Sequence, residues 1–496
     1  MMKRLHNIAQ HYFWPILLLP AFFIIHVATE NPELVRPAPS IKLWSIYVLV
    51  GVLMAFCFRL YFRNWPKAIL MSFCVLCFQF FFGAVYDSLQ THFHGYFFSR
   101  YRFILSVVTI VLLFIAWRLK KSGSVFGGLF LYLNLLFVLL ISADLITLLS
   151  VKRPNNRAPI ESGNLLPVTG KKPDIYLIVA DGYPGKAALQ EYFRYNNDRF
   201  TDSLRRSGFF VNENAVSNYN HTTHSMASML NLTYLSDIRN NVVDKKEVNR
   251  GLDLINQNIF TRYLIQNGYG IINHSIFTIH EIPAALNPGF LPTSSTIITN
   301  QTFTGRFLKD LVFQLAHIYH FKKLVRYFHS PVMEGNQALP AKTVIKAAEK
   351  DQPPRLVYTH LIMPHYPYLK DSSGNETDEF RWKEVRDSSR FISYLKHCNQ
   401  QLLSLVSHIR QASARPPVIL LIGDHGFREF NKPRFNPLQF SCLQAVYYPD
   451  GNYQSFYNGM SQVNLFRVLL NDQFGQQLPL LKDSSITLTD KTPFPH

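Results

Sequence analysis

Residues 174–181 of the chain read Asp-Ile-Tyr-Leu-Ile-Val-Ala-Asp (DIYLIVAD). The six residues between the two aspartates are continuously apolar or aromatic, which is typical of a strand buried on both faces of a parallel sheet. Similar runs occur at 355–360 (RLVYTH) and 417–422 (PVILLI), and the segment 388–412 has apolar residues at helical spacing. Buried strands that alternate with helices predict an α/β domain with a mostly parallel central sheet sandwiched by helices.

Polar residues follow each of these predicted strands. Asp181 comes directly after the first, Asp424 and His425 follow the last, and His365 lies a few residues beyond the middle one. Because ligands of such sheets bind outside the carboxyl ends of the strands, we expect these side chains to converge. Asp181, Asp424 and His425 supply oxygen and nitrogen ligands that suit zinc or manganese and would leave an open coordination position.

A fourth polar cluster, at 219–225 (YNHTTHS), precedes an apolar stretch with small residues. A threonine hydroxyl held beside a divalent cation loses its proton readily and can then attack phosphorus. Each part also has a plainer explanation. An Asp-Gly pair after a strand is usually a turn, and Thr222 and Thr223 could simply cap a helix. The catalytic interpretation therefore depends on the combination of clusters.

Upstream of this region the chain is dominated by apolar residues. Basic residues occur before the first apolar run and in the short connections after the second and fourth runs, as cytoplasmic loops require. An odd number of spans then places everything after residue 150 outside the cytoplasm. The five runs that are long enough to cross a hydrocarbon core lie near 12–29, 43–61, 68–86, 103–118 and 125–149.

These patterns predict a five-helix transmembrane domain over 1–150, a linker rich in Pro, Asn and Gly over 151–172, a compact domain over 173–481 and a polar tail over 482–496. The section 236–345 has no motif that indicates its role. It either packs a lipid near the membrane or covers the sheet.

Charge and cysteine content narrow the class of partner. The net charge of +18 comes from scattered Lys and Arg residues without a basic block, which disfavours nucleic acid and favours anionic lipid or phosphorylated substrates. Cys57, Cys74 and Cys77 lie within apolar runs. A Cys398–Cys442 disulfide is possible in an oxidising compartment, although two buried free thiols are the favoured interpretation.

Four stretches, in the order DIYLIVADGY, NHTTHSMASML, THLIMPHYPY and VILLIGDHG, resemble the alkaline-phosphatase/sulfatase superfamily. Within it the chain most resembles the membrane branch of lipoteichoic acid synthases and lipid A phosphoethanolamine transferases, which also have five spans ahead of an extracytoplasmic catalytic domain. The resemblance covers 173–481 and implies that this region is the catalytic domain, with an alkaline-phosphatase-like fold.

The resemblance also implies roles for individual residues. Asp181 matches the first metal ligand, and Asp424 and His425 match the paired ligands near the end of the domain. Thr222, three residues before Ser225, matches the nucleophile and a metal ligand, with Thr223 as the second candidate. The remaining candidates are contacts to substrate phosphate or the leaving group, namely His365, His360 and Asn220.

The implied function is transfer of a phosphoryl head group from a phospholipid donor to an envelope lipid or glycan, through a covalent phospho-Thr222 and with zinc or manganese as cofactor. The implied location is the inner membrane, with a periplasmic catalytic domain and no nucleic-acid partner. One alternative is a phosphodiesterase or phosphatase that uses water at the same site, and another is a non-catalytic envelope scaffold.

Two departures from the family pattern bear on these expectations. The Cys/Ser-x-Pro-x-Arg sequence of sulfatases is absent, so hydrolysis of sulfate esters is the least favoured activity. Asp181 stands where the nearest transferases have Glu, which leaves the metal preference open.

Overall fold

A computed structural model describes residues 11–32, 35–93, 95–123, 126–150, 165–168, 170–235, 238–288, 291, 293–381, 384–429 and 436–491. The chain divides into two compact units. The first comprises Met1–Asn155 together with Gly289–Tyr319, and the second comprises Asn156–Pro288 together with His320–His496. The chain therefore crosses from one unit to the other three times along its sequence.

Helices form the first unit and flank the strands of the second. Short 3₁₀ turns aside, their bounds are α1 (Trp14–Glu30), α2 (Pro37–Phe62), α3 (Trp65–His92), α4 (Tyr101–Lys121), α5 (Gly127–Ser150), α6 (Lys186–Phe193), α7 (Asp198–Arg206), α8 (Thr222–Leu230), α9 (Lys245–Asn256), α10 (Ile259–Gln266), α11 (Ser294–Thr299), α12 (Phe303–Arg306), α13 (Phe313–Ile318), α14 (Lys322–Ala348), α15 (Ser388–Ala412) and α16 (Gln462–Phe474). A π-helical stretch, Phe307–Val312, joins α12 to α13.

The first unit contains four helices, α2 to α5, that are long and apolar enough to cross a membrane. The first predicted span, 12–29, corresponds to α1, which has 17 residues and is about 25 Å long. This is shorter than the ~20 residues that usually cross the hydrocarbon core. One side of α1 is buried in the bundle, through Ile16, Leu19 and Phe23 among others.

A six-stranded sheet forms the core of the second unit, in the order β2-β7-β6-β1-β5-β4. The strands β4, β5, β1 and β6 are parallel to one another. At one edge of the sheet β7 pairs antiparallel with β6, and β2 pairs antiparallel with β7. The strand bounds are β1 (Ile175–Ala180), β2 (Phe210–Val211), β3 (Val242–Val243), β4 (Gly270–His274), β5 (Arg355–Leu361), β6 (Val418–Gly423), β7 (Gln444–Tyr447) and β8 (Thr489–Asp490).

The central strands are the three apolar runs that the sequence predicts. Every residue of β1, β5 and β6 is buried, because each strand has neighbours on both sides and protein on both faces. The predicted helix 388–412 is α15. The fold-class prediction is confirmed: apolar helices precede an α/β unit with a mostly parallel central sheet.

The strand register explains how the site forms. Ala180, the last residue of β1, pairs with Leu361 of β5 on one side and with Gly423 of β6 on the other. The next residues after β1 and β6 are Asp181 and Asp424. The two aspartates therefore leave the same edge of the sheet side by side.

Candidate metal centre and active site

Asp181 and Asp424 are both fully buried at the carboxyl edge of the sheet. Asp424 Oδ1 accepts a hydrogen bond of 2.8 Å from the main-chain N–H of Gly182. Both carboxylate oxygens of Asp181 and the Oδ2 atom of Asp424 have no hydrogen-bond partner in the described part of the chain. Ionised groups in this situation are costly to bury unless an opposite charge accompanies them.

His425 completes a compact group of three. Its Nδ1 lies 2.7 Å from the carbonyl oxygen of Gly426. Since a carbonyl can only accept, Nδ1 carries the proton and Nε2 presents a lone pair. Nε2 lies 3.5 Å from Asp424 Oδ2 and 3.9 Å from Asp181 Oδ1. Three buried groups thus direct lone pairs at one another.

The donor set fits a divalent cation. One ligand atom from each of Asp181, Asp424 and His425 lies within 4.8 Å of the others. A cation among them would satisfy the carboxylate oxygens that lack partners and would use the neutral Nε2 of His425. Two oxygen ligands and one imidazole nitrogen suit zinc or manganese better than calcium or magnesium, which prefer all-oxygen sites.

Thr222 directs its hydroxyl toward this group. It is the first residue of α8, and its Oγ1 lies 3.2 Å from His425 Nε2. One turn later, Ser225 Oγ donates a hydrogen bond of 2.5 Å to the main-chain carbonyl of Asp424, which ties α8 to the loop after β6. The neighbouring Thr223 instead packs its methyl group against α9, where a methyl group at Gly251 would lie 2.7 Å from Thr223 Cγ2.

His360 and His365 reach the group from β5 and the loop that follows it. His360 is fully buried, with Nδ1 3.1 Å from the Tyr358 hydroxyl and Nε2 3.8 Å from Asp181 Oδ2. His365 is partly buried, and its Nδ1 donates to the carbonyl of Tyr366 over 2.6 Å. The main-chain N–H of His365 also donates to the carbonyl of Asp181, which holds this loop over the end of β1.

The charges around the site keep Asp181 ionised. Burial acts to raise the pKa of Asp181, but the neighbouring imidazoles of His365 and His360 outweigh burial and lower it. On the α8 side, burial lowers the pKa of His224 to about 4, and burial together with Arg428 lowers the pKa of His221 well below its ordinary value. Near neutral pH the site is therefore bordered by uncharged His221 and His224 rings.

No protein-family model and no curated protein matches the chain. Solved structures with partial similarity include the C-terminal periplasmic domain of EcEptC from Escherichia coli, at 14% identity over 63% of this chain and 85% of that chain, with a TM-score of 0.37. A protein in the alkaline phosphatase superfamily from Vibrio parahaemolyticus has 13% identity over 63% and 70% of the two chains, with a TM-score of 0.39.

The C-terminal periplasmic domain of the phosphoethanolamine transferase EptC from Campylobacter jejuni has 12% identity over 62% of this chain and 91% of that chain, with a TM-score of 0.35. The superfamily named among these structures is the one that the four sequence motifs resemble.

Asn220 occupies a different position from the other candidates. Its Nδ2 donates to the carbonyl of Leu488 over 3.1 Å, and its Oδ1 accepts from the N–H of Leu488 over 2.8 Å. The side chain thus holds the segment before β8 in place, and substrate contact by Asn220 stays a prediction. Arg428 is exposed and donates to the carbonyl of Asn220. Two nearby basic residues of the sequence, Lys432 and Arg434, lie outside the described residues.

Three structural contributors were not among the predicted site residues. Gly182 has a φ of +65°, in the left-handed region, so the turn that presents Asp181 favours glycine. Ser225 and Tyr358 act through their hydrogen bonds to the Asp424 carbonyl and to His360. The Asp-Gly pair and the Thr222–Ser225 spacing were visible in the sequence, but their partners were not.

Proposed function

We propose that the chain is a membrane-anchored, metal-dependent enzyme that transfers a phosphoryl head group from a phospholipid to a hydroxyl of an envelope lipid or glycan. The observation that carries this proposal is the buried meeting point of Asp181, Asp424 and His425 with the hydroxyl of Thr222. Carboxylates that lack partners, a neutral imidazole nitrogen and a hydroxyl nucleophile together form the donor set of a phosphoryl-transfer centre.

Each residue has a separate task in this scheme. Asp181, Asp424, His425 and the Thr222 hydroxyl would hold a divalent cation, zinc or manganese. When bound, that cation supplies Lewis acidity, which favours the deprotonated Thr222 oxygen and neutralises charge on the phosphoryl oxygens. Ser225 keeps α8 docked on the Asp424 loop, and thereby keeps the Thr222 oxygen within 3.2 Å of His425 Nε2.

The beginning of α8 adds a second source of stabilisation. The first main-chain N–H groups of a helix have no acceptor within the helix, and the helix dipole places partial positive charge at this end. Thr222 is the first residue of α8, so a phosphoryl group that reacts with its oxygen lies at the helix N-terminus. Main-chain amides at such a position bind phosphate oxygens.

The transfer takes place in two displacements. In the first, a bond forms between Thr222 Oγ1 and phosphorus while the bond from phosphorus to the donor's glycerol oxygen breaks. In the second, an acceptor hydroxyl oxygen bonds to phosphorus and the bond to Thr222 breaks. We assign to His365 the task of giving a proton to the leaving oxygen and taking one from the acceptor. Nε2 would do this, because Nδ1 is engaged by the Tyr366 carbonyl.

His360 receives a positioning role rather than direct contact with substrate. It is fully buried, and its Nε2 lies 3.8 Å from Asp181 Oδ2. The hydroxyl of Tyr358 contacts its other ring nitrogen, Nδ1. Partners of this kind orient metal-ligating carboxylates and tune their basicity.

The first unit supports a lipid donor and a location in the inner membrane. Helices α2 to α5 are long and apolar enough to cross a bilayer and expose much of their apolar surface. The basic residues before α1, between α2 and α3 and between α4 and α5 alternate as cytoplasmic segments do, which leaves the second unit on the extracytoplasmic side.

The test uses the full-length chain in detergent, mixed with vesicles of phosphatidylethanolamine and phosphatidylglycerol. Bound metal is measured by elemental analysis, and the covalent adduct by intact mass, for the wild type, Thr222→Ala and Thr223→Ala. We expect a transition metal and a head-group adduct in the wild type and in Thr223→Ala, and no adduct in Thr222→Ala. An adduct that survives Thr222→Ala but not Thr223→Ala would move the nucleophile to Thr223.

The same reaction mixtures distinguish transfer from hydrolysis. A new phosphodiester on an added envelope lipid or glycan indicates transfer, whereas free head-group phosphate together with diacylglycerol indicates hydrolysis at the same site. A chain that binds no metal and forms neither product would contradict both enzymatic functions and favour the scaffold interpretation.

A further inference from the structure

Residues 293–319 lie far along the chain from the apolar helices, yet they belong to the first unit rather than the second. This segment, the 293–319 segment, contains α11, α12, the π-helical stretch and α13. It falls inside the section 236–345, for which the sequence had left two roles open. Its contacts within the first unit indicate which role applies.

The 293–319 segment docks on one face of α3. Gln79, Gly83 and Asp87 are spaced by four residues and so lie along one side of that helix. The N–H of Gly83 donates to the carbonyl of Gln301 over 2.9 Å. A Cβ at Gly83 would lie only 2.5 Å from that carbonyl oxygen, so this approach of backbone to backbone requires glycine.

Polar and aromatic contacts extend the docking on both sides of Gly83. Thr304 Oγ1 donates to Gln79 Oε1 over 2.8 Å, and Arg306 forms an ion pair of 2.6 Å with Asp87. Apolar contacts add to these polar ones. Phe303 packs against Phe78 and Phe82 with ring centroids 4.7 Å and 5.1 Å apart, and Ile298 is buried in the core of the helix bundle.

The other side of the 293–319 segment exposes large apolar side chains. Leu308, Leu315 and Ile318 are 44%, 38% and 66% exposed. Leu308 lies in the π-helical stretch, and Leu315 and Ile318 lie one turn apart on α13. These three exposed side chains are called the apolar stripe below. Lys309, next to Leu308, is also exposed. An apolar stripe beside a lysine is the pattern of a helix that lies at a membrane surface.

We propose that the 293–319 segment is a membrane-interface element, whose apolar stripe inserts among the acyl chains of one leaflet while Lys309 contacts lipid phosphates. The helix on which the segment docks also exposes large apolar side chains, Phe81 and Val85 of α3. The ion pair with Asp87 indicates the depth of the segment in the membrane. Asp87 follows the apolar run 68–86, at the end of α3 opposite the basic residues Arg63 and Lys67. The occupant of the stripe is therefore lipid rather than protein.

A photo-cross-linking experiment on the full-length chain tests this assignment. A photoreactive amino acid replaces Leu308 or Leu315, and the chain is reconstituted into vesicles of phosphatidylethanolamine and phosphatidylglycerol and irradiated. Gln314 is the matched control, because it is exposed, polar and rotated by ~100° around the helix axis from Leu315. Ile110 of α4, an exposed position within a predicted span, is the lipid-facing reference.

We expect lipid adducts at positions 308 and 315 at yields within about threefold of those at position 110 and at least about fivefold above those at position 314. Adducts at position 110 alone would overturn the proposal, and so would cross-links at 308 that double the mass of the chain, since these would identify a second copy as the occupant. No adduct even at position 110 would overturn the membrane assignment of the first unit as well.

The docking on α3 provides a second test. In Gly83→Val the new side chain would collide with the Gln301 carbonyl, so we expect fewer lipid adducts at positions 308 and 315, by about fivefold, with the yield at position 110 unchanged. Equal yields at 308 with and without Gly83→Val would contradict the inference that α3 sets the depth of the segment.

Discussion

The two units of this chain depart from an ordinary globular protein in opposite ways. The first unit places large apolar side chains on its outside, along α2, α4 and α5. The second unit buries carboxylate oxygens that have no hydrogen-bond partner in the described part of the chain, namely both oxygens of Asp181 and Oδ2 of Asp424. Each arrangement is unfavourable for a bare polypeptide in water, and each becomes favourable with a component that is not polypeptide: lipid around the first unit and a cation inside the second.

Two apolar runs, β1 and α5, differ in how much of their surface protein covers. All six residues of β1 are buried, because strands β5 and β6 pair with it and protein covers both faces. Only three residues of α5 are buried, although it is equally apolar. An apolar run therefore indicates that water is excluded. Whether protein or lipid excludes it depends on the neighbours that the tertiary structure supplies.

The largest expected effect comes from neutralising a buried carboxylate. Asp181→Asn keeps the shape of the side chain but removes its charge, so we expect phosphoryl transfer to fall by about 10³-fold or more. The variant also lacks one anionic metal ligand, so treatment with a chelator should lower its melting temperature less than that of the wild type. Activity assays and thermal melts with and without chelator measure the two effects. Equal effects of the chelator on both melting temperatures would contradict a cation site at Asp181.

Charge on the outside of the first unit tests the other half of the comparison. Leu139, in the middle of α5, and Leu149, next to its end, are 68% and 86% exposed. Leu139→Arg should destabilise the membrane-inserted state by about 3 kcal/mol, whereas Leu149→Arg should cost little because its side chain can reach the interface. The amount of chain that resists carbonate extraction from membranes reports the difference. Equal amounts for both variants would indicate that water rather than lipid surrounds α5.

Acid should destabilise the second unit through His224. Burial lowers the pKa of His224 to about 4 in the folded chain, against 6.5 without burial. The unfolded chain therefore binds more protons between these values, and the contribution to stability that is present above pH 6.5 is lost as the pH falls toward 4. The loss between about pH 7 and about pH 4.5 should be about 2.5 kcal/mol. Melting temperatures of the wild type should fall more steeply with acid than those of His224→Gln, and parallel slopes would refute this cause.

The smallest effect separates positioning from stability on a single helix. Ser225 and Ser228 of α8 both donate to main-chain carbonyls, of Asp424 and Thr233 respectively. Replacing either by Ala should lower stability by about 1 kcal/mol. Only Ser225→Ala loosens the contact of α8 with the loop that carries Asp424 and His425, so we expect kcat to fall by about tenfold in that variant alone. Equal kcat values would show that α8 is held in place by other contacts.

Several elements could not have been predicted from their sequence. Strands β2 and β7 are short and lie at an edge of the sheet, where pairing partners rather than apolar runs define a strand. The 293–319 segment is rich in apolar residues, but nothing in its sequence identifies α3 as its docking site. That contact depends on the absence of a side chain at Gly83, more than 200 residues earlier in the chain.

The choice between Thr222 and Thr223 is of the same kind. Adjacent residues of a helix point about 100° apart, so the rotation of α8 decides which hydroxyl meets His425. Ser225 sets that rotation through the Asp424 carbonyl, and the second threonine then packs against Gly251 of α9. The spacing of Thr222 and Ser225 in the sequence favoured the first threonine, but the structure supplies the physical reason.

The central strands β1, β5 and β6, the long helix α15, and the polar residues Asp181, Asp424 and His425 at the strand ends can all be predicted from the sequence alone. These follow from local properties: continuous apolar runs, helical spacing, and the convergence of carboxyl ends in parallel sheets. Long-range contacts settle which carboxylate oxygens lack partners, which threonine faces His425, and which late segment belongs to the first unit. These depend on contacts between residues far apart in the chain, and no local pattern records which partner a side chain will meet.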